Sequence, residues 1–176
     1  MIIDRRRFLG AGLAVPLEAL AQTCGVLTPR QTEGPFFKTD SPRRISLIEP
    51  GAKSPRFVVS GVVLSAQCKP VSNALLDFWH SDEEGVYDNR GFRYRGHKFS
   101  DAQGRYRLET IVPAEYPGRT RHIHVKVQAP GGKRILTTQL YFAGDPGNKR
   151  DGLYRPELEM KKLGAELGSF DFVVDA

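Results

Sequence analysis

The chain of 176 residues carries 26 basic and 20 acidic side chains, giving a formal net charge of +6. Its length allows one domain with a sizeable core, and its 18 glycines and 12 prolines favour short strands joined by turns over a helical bundle. The basic residues are spread along the chain and no nucleic-acid-binding motif is present, so the composition indicates a solvated basic surface and argues against a nucleic-acid partner.

The first residues of the chain have the three regions of an export signal. Arginines at positions 5–7 precede an apolar run that continues to Leu20, and small residues form a cleavage site at Ala21. Paired arginines immediately before Phe-Leu predict a twin-arginine signal peptide over residues 1–21 and a secreted or periplasmic protein. An ordinary N-terminal helix is the alternative. The run is too short to cross a bilayer and contains Glu18, so we expect no membrane span.

Two cysteines, Cys24 and Cys68, both follow the predicted cleavage site. In an oxidising compartment an even pair is more often a disulfide than two free thiols. We therefore predict a Cys24–Cys68 bridge that ties the N-terminus of the mature chain to a turn of the domain. Two free thiols are the alternative, because sequence does not show whether the two Cα atoms are close enough.

Residues 22–55 lack periodicity and are interrupted by prolines, which predicts an arm lying over the domain. Runs rich in β-branched and aromatic residues predict seven strands, at residues 56–66, 74–80, 92–100, 105–112, 122–128, 133–142 and 170–174. Turns at 101–104 and 130–132 predict two hairpins, and only residues 157–167 have a short helical pattern. The pattern favours an all-β domain at residues 56–176, an antiparallel β-sandwich with Greek-key-like topology and minimal helix.

His122 and His124 lie two residues apart in a predicted strand, so their side chains project from one face and Ile123 from the other. Two imidazoles placed in this way can bind one metal ion, although the pair alone is a weak signal and surface or core-edge histidines are the alternative. No Cys, Asp or Glu stands beside the pair. This absence disfavours a zinc site and, with it, a metal-dependent hydrolase.

Two tyrosines accompany the histidines: Tyr116 in a Pro-flanked loop before their strand, and Tyr87 after an earlier strand and turn. Each alone is more typical of packing in a β-rich protein. Tyrosinate is a hard anionic donor. The neutral phenol has a usual pKa near 10, and a trivalent cation displaces the phenol proton better than a divalent one does. Two tyrosines with two histidines therefore point to Fe(III).

Four blocks carry a resemblance to a known family, at residues 28–37, 74–87, 101–124 and 137–146. With them the sequence resembles the intradiol ring-cleavage dioxygenases, especially the protocatechuate 3,4-dioxygenase branch and its small secreted relatives. The resemblance implies one non-haem Fe(III) per chain, held by the tyrosine of Trp-x-x-Asp-x-x-Gly-x-Tyr, the tyrosine of Pro-x-x-Tyr-Pro and both histidines of His-Ile-His. Here these are Tyr87, Tyr116, His122 and His124.

The resemblance also implies the remaining roles. Arg119 would steady negative charge on the substrate carbon, Gln139 would line the pocket, and Gly34 and Pro35 would lie at its mouth. The implied reaction uses O2 to cleave a catechol-type ring between its hydroxyl-bearing carbons, giving a muconate-type diacid. In that reaction the catechol displaces Tyr116, whose phenolate takes up a proton.

Departures from the family pattern leave the substrate open among the protocatechuate, catechol and hydroxyquinol class. The loop from Tyr116 to Arg119 is short, Gly118 stands where a bulky aromatic is frequent, and the helical N-terminal dimerisation domain of the catechol branch is absent. We expect structural or surface roles for His80 and His97. A non-catalytic secreted β-sandwich module that binds aromatics or carbohydrate is the alternative function, and a homo-oligomer stays open.

Overall fold

The computed structural model describes residues 25–132 and 134–176. Nine strands make up the fold: β1 (Arg56–Ser65), β2 (Leu75–Trp79), β3 (Arg95–Phe99), β4 (Arg105–Ile111), β5 (His122–Gln128), β6 (Leu136–Phe142), β7 (Glu159–Lys162), β8 (Leu167–Ser169) and β9 (Phe172–Val174). Two short 3-10 helices, Pro146–Arg150 and Pro156–Leu158, follow β6. Each predicted strand contains an observed one, so the all-β prediction is confirmed. The described part of the chain holds no helix with the length and apolar character needed to cross a membrane.

The strands follow the order β3-β2-β5-β6-β7-β8-β1-β4, with β9 also paired to β1. Most pairings are antiparallel, but β6–β7, β1–β8 and β1–β9 are parallel, so the sheet is mixed. Strand β7 pairs with both β6 and β8 and so joins two layers. One layer contains β3, β2, β5 and β6, and the other contains β8, β1 and β4. Phe78 of β2 and Tyr106 of β4 contact across the core, with ring centroids 6.0 Å apart.

Alternation along β5 explains where the core and the candidate site lie. Ile123, Val125 and Val127 are fully buried in the core between the layers. His122 and His124 project from the opposite face and are also buried, because the arm crosses that face. The arm is held there by backbone and side-chain hydrogen bonds: Gln31 N–H donates to Thr137 O, Thr138 Oγ1 to Pro29 O and Gln139 Nε2 to Thr32 O.

The helix predicted at residues 157–167 is wrong. Pro156 starts a single 3-10 turn, and the chain then continues as β7 and β8. The path is extended because β7 pairs with β6 on one side and with β8 on the other. Two exposed lysines in β7 produced the helical pattern without any helical packing face.

The hairpin predicted at residues 101–104 is wrong as a strand pairing. The turn closes locally, with Gly104 N–H donating to Asp101 O at 2.9 Å, but β3 forms its ladder with β2, and β4 forms its ladder with β1. The segment therefore passes from one layer to the other. The second hairpin is confirmed, since β5 and β6 pair antiparallel. The predicted signal peptide and Cys24 lie outside the described residues.

Candidate active site

His122 and His124 bring two imidazole nitrogens together on the arm-covered face of β5. Their Nε2 atoms are 3.1 Å apart, and both rings are buried. Nδ1 of His122 donates to Thr120 O at 2.7 Å, which leaves the lone pair on Nε2. Nδ1 of His124 is buried and has no hydrogen-bond partner among the residues that the structure describes. Trp79, opposite His124 in the sheet, stacks on that ring at 4.7 Å and fixes its plane.

Burial keeps both rings neutral. Burial and then the nearby Arg119 charge lower the pKa of His122 to about 4. Burial, followed by His122, lowers the pKa of His124 well below its usual value. Neutral imidazole is the form that binds metal ions, so the pair is ready for a cation at neutral pH.

Tyr87 reaches the histidines from the loop after β2. Asp82 shapes that loop, since its Oδ1 accepts the backbone N–H groups of Glu84 and Val86. The Tyr87 hydroxyl donates to Nε2 of His122 at 3.3 Å, and Phe36 of the arm stacks on its ring at 4.4 Å. Burial, and then Tyr116, raise the pKa of the Tyr87 phenol. A phenolate therefore forms here only when a cation replaces the proton.

Tyr116 closes the cluster from the loop before β5. Its ring lies edge-on to Tyr87, 5.7 Å between centroids, and 5.9 Å from His122. A tight turn brings it there: Arg119 N–H donates to Tyr116 O at 2.9 Å, and Gly118 has φ +80°. In contrast to the buried Tyr87, Tyr116 is partly exposed. It also lines an open cavity of about 460 Å³ together with Arg119.

The donor set suits a hard trivalent cation. The described residues hold no group of three or more His, Cys, Asp and Glu side chains that could bind a metal, so zinc-type ligand sets are not supplied. What converges instead is one phenol oxygen and two imidazole nitrogens, with a second phenol beside them. Two imidazole Nε2 atoms and a phenol oxygen that face one another in a buried pocket are the pattern that a bound cation would satisfy.

Arg119 lies beside the cluster in a hydrogen-bond network with Gln139 and Asp151. The sequence predicted the first two of these residues and not Asp151. Nε of Arg119 donates to both carboxylate oxygens of Asp151, at 2.9 and 3.1 Å, and Nη2 donates to Gln139 Oε1. Nη2 is also 3.4 Å from the hydroxyl of Tyr141, whose ring neighbours His122. The guanidinium therefore has a fixed direction.

Asp151 is a functional candidate that the sequence did not reveal. It is buried, and it accepts the backbone N–H groups of Thr120 and Leu153 as well as Arg119. Burial raises the pKa of Asp151, but hydrogen bonds from Leu153 and Arg119 outweigh burial and lower it. No motif marks this residue, since it is 32 positions from Arg119.

The other predicted site residues take clear places. Gly34 lies against His124, since an added Cβ would be in van der Waals contact with Cε1 of that ring at 3.6 Å, and its φ of +70° is the reason that glycine is favoured there. Pro35 follows it and is exposed. His80 is buried and bonded to Thr110 and the Ser81 carbonyl, while His97 is bonded to the Ser41 carbonyl. Both bond outside the cluster.

Comparison with known proteins gives the family. The family model described as Dioxygenase matches residues 32–155. A catechol 1,2-dioxygenase of Acinetobacter baylyi is 30% identical over 156 residues, covering 72% of this chain and 50% of the relative. A hydroxyquinol 1,2-dioxygenase of Rhodococcus opacus is 32% identical over 181 residues, covering 85% of this chain and 60% of the relative. The chain thus spans 50–60% of the length of these relatives.

A solved structure is more similar still. The dioxygenase domain of a dioxygenase and carbohydrate-binding protein fusion from the cellulolytic bacterium Streptomyces sp. SirexAA-E is 51% identical, with a TM-score of 0.81. The match covers 86% of this chain and 99% of that domain. The match to the family model, the relatives and this solved structure together show that the chain belongs to the intradiol ring-cleavage dioxygenase family.

Proposed function

We propose that the protein is a non-haem Fe(III) intradiol dioxygenase that uses O2 to cleave a catechol-type ring between its hydroxyl-bearing carbons, yielding a muconate-type diacid. The observation that carries the proposal is the convergence of Tyr87 Oη with the Nε2 atoms of His122 and His124, beside Tyr116 and Arg119. The relatives named catechol and hydroxyquinol 1,2-dioxygenase support the reaction class. A non-catalytic binding module is not favoured.

The ligands proposed for the ferric ion are Tyr87, Tyr116, His122 and His124, one ion per chain. Two phenolates supply hard anionic oxygens and offset most of the charge of a trivalent cation, which favours the ferric state. The chemistry that such an ion supplies is Lewis-acid binding of both catechol oxygens, with withdrawal of electron density from the ring.

The two tyrosines are held differently, which assigns them different roles. Tyr87 is buried beneath Phe36 and bonded to His122, so it cannot leave without opening the arm. Tyr116 is partly exposed on a turn at the edge of the cavity and can swing outward. We therefore assign Tyr116 as the ligand that the substrate displaces and as the base that accepts a catechol proton.

Arg119 is the second catalytic residue of the proposal. It is permanently charged and lines the cavity, and its direction is fixed by Asp151 and Gln139. A preorganised cation here stabilises negative charge that develops on the substrate carbon during oxygen attack. Gly34, Pro35 and Gln139 are the proposed pocket residues. The substrate is a catechol of the protocatechuate, catechol or hydroxyquinol class.

The decisive experiment measures iron, colour and turnover on one preparation. Purified protein should contain about one iron per chain, absorb visible light through tyrosinate-to-iron charge transfer, and consume O2 with at least one of catechol, protocatechuate and hydroxyquinol. Ring-opened product is followed by its absorbance. Colourless protein loaded with zinc would overturn the proposal, as would coloured protein that consumes no O2 with any catechol tested.

We also propose export by the twin-arginine route to the periplasm or medium, because arginines at positions 5–7 precede an apolar run. This route carries folded proteins, so iron inserted in the cytoplasm would be retained. Replacing Arg5, Arg6 and Arg7 by lysine should leave precursor in the cytoplasmic fraction. Export of that variant at the normal level would contradict the proposal.

A further inference from the structure

Arg95 of β3 is a buried cation without a close ion pair among the described residues. The residue is 2% exposed, and within residues 25–132 and 134–176 no carboxylate lies within ion-pair distance of its guanidinium. In the same part of the chain its Nη2 atom is buried and has no hydrogen-bond partner. Burial of a charge without a close partner is unfavourable, so the groups that the guanidinium does contact indicate its role.

Two carboxylates act on Arg95 from a distance, and both have hydrogen-bond partners of their own. Asp88 accepts the backbone N–H groups of Arg90, Gly91 and Arg93 at 2.7–3.0 Å and so organises its own loop. Asp77 accepts the Ser41 hydroxyl at 2.7 Å. Both favour the charged guanidinium electrostatically, but neither forms an ion pair with it.

What Arg95 does contact is the surroundings of Tyr87. Its Nε donates to the carbonyl of Asp88, the residue after Tyr87, at 2.9 Å. Its Nη1 donates to the carbonyl of Phe36, whose ring stacks on Tyr87, at 2.6 Å. The guanidinium carbon is 5.9 Å from the centroid of the Tyr87 ring. Arg95 thus holds both neighbours of that ring and places a positive charge next to it.

We infer that Arg95 is a positioning residue for Tyr87, which it holds by donating to the carbonyls of Phe36 and Asp88 beside that ring. The inference rests on the proposed function, because the position of Tyr87 matters for holding the ferric ion. Groups that orient metal ligands commonly change metal affinity tenfold to a hundredfold when they are removed, about as much as some ligands do.

The test compares ferric protein carrying Arg95→Gln, Arg95→Met and Arg95→Lys with wild type. None of the three side chains can donate to both divergent carbonyls, so all three should release iron to a chelator at least about tenfold faster. The tyrosinate-to-iron band, which reports the ligands and not the overall fold, should change in the same three variants. Arg93→Met, at an exposed arginine on the same segment, is the matched control and should behave as wild type.

The outcomes separate positioning from charge and from the proposed function itself. If Arg95→Lys releases iron as wild type does while the two neutral variants release it faster, the charge and not the position of Tyr87 is what Arg95 supplies, and the inference is wrong. Faster release with an unchanged band would also overturn it, because the variants would then only weaken the fold. Wild-type protein that takes up no ferric iron would overturn both this inference and the dioxygenase proposal. Gln and Lys keep a polar side chain, so the test stands even if Met prevents folding.

Discussion

Tyr87 and Tyr116 show how burial can divide one residue type into two functions. Both rings face the same imidazole pair, but only Tyr87 is enclosed by the arm and the sheet. The two tyrosines and the two histidines lie in short motifs that can be read along the chain, so the sequence alone predicted that these four side chains form one site. Burial of the individual rings depends on residues far away in the chain, and for that reason the difference between the tyrosines needed the structure.

Substitution of each tyrosine by phenylalanine should give opposite defects. Tyr116→Phe removes the proposed proton acceptor and should slow turnover about a hundredfold while most of the iron is retained. Tyr87→Phe removes a buried anionic ligand and should lose most of the iron on dialysis against a chelator. Metal analysis and O2 uptake on the same samples measure both effects. Unchanged iron content and turnover in both variants would contradict the ligand assignment.

Asp151 should act on the reaction only through Arg119. Asp151→Asn keeps the side-chain shape and retains one oxygen that can accept from Thr120 or Leu153. It removes the negative charge, so the guanidinium of Arg119 faces either an N–H donor or a neutral oxygen. Losing the buried ion pair should reduce the free energy of unfolding by roughly 3 kcal/mol. We expect kcat to fall at least about tenfold, with little change in KM or iron content, because Arg119 then loses its fixed direction.

The control is another aspartate whose side chain is buried and paired with an arginine. Asp145 binds Arg121 at 3.1 Å and accepts the Gly147 N–H, so Asp145→Asn should also reduce stability. Its kcat should stay at the wild-type value, since Arg121 is not part of the proposed site. Steady-state kinetics and denaturant unfolding of the two variants separate stability from alignment. Equal kcat losses in both would show that Asp151 is only structural.

At the scale of elements, hydrophobic alternation predicted the strands but not their partners. All seven predicted strands are present because alternation is a local property of each segment. Pairing depends on which layer a strand enters, so the turn at residues 101–104 joins strands of different layers although its sequence is that of a hairpin. The helix predicted at residues 157–167 failed for a related reason: pairing of β7 with β6 and β8 overrides the local pattern.

Gly85 is the point where the loops that carry Tyr87 and Tyr116 meet. It has φ +79°, and an added Cβ would lie 2.4 Å from the carbonyl oxygen of Glu115. Gly85→Ala should therefore combine left-handed strain with a backbone clash and reduce the free energy of unfolding by about 3 kcal/mol. Because the two loops would separate, iron affinity should also fall.

Gly51 supplies a control with the same backbone conformation. Its φ is +80°, and an added Cβ would have no heavy atom within 4 Å. Gly51→Ala should cost only the strain, about 1 kcal/mol, and leave iron binding unchanged. Denaturant unfolding together with metal analysis measures both variants. If the two substitutions gave the same loss of stability, the contact between the loops would not be the cause.

For the whole molecule, the arm is what turns an open sheet face into a buried site. Residues 29–37 bond to β6 and place Gly34 on His124 and Phe36 on Tyr87. The sequence predicted an arm from its prolines, and the family blocks placed residues 28–37 near the pocket. Which ring each arm residue covers could not be derived from the chain alone, because the contacts join residues about a hundred positions apart.

The predicted Cys24–Cys68 disulfide would fasten this arm to the domain. Cys68 lies in the exposed turn after β1, in a left-handed conformation with φ +65°. A bridge to Cys24 would close a loop of roughly 45 residues that contains the whole arm, and such a cross-link is worth up to about 4 kcal/mol through the entropy of the unfolded chain. Cys68→Ser, or reduction of the wild type, should therefore lower the Tm of the exported protein.

Loss of the bridge should also weaken iron binding, since the arm covers Tyr87 and His124. Iron release to a chelator should be faster after reduction, even at temperatures where the β-sandwich stays folded. The control is Cys24→Ser, which should match Cys68→Ser in Tm and in iron release, with no added effect in the double variant. Thiol titration of unfolded, unreduced protein gives the direct answer. Two reactive thiols, with a Tm that does not respond to reductant, would exclude the bridge and require the arm's own contacts to hold the site closed.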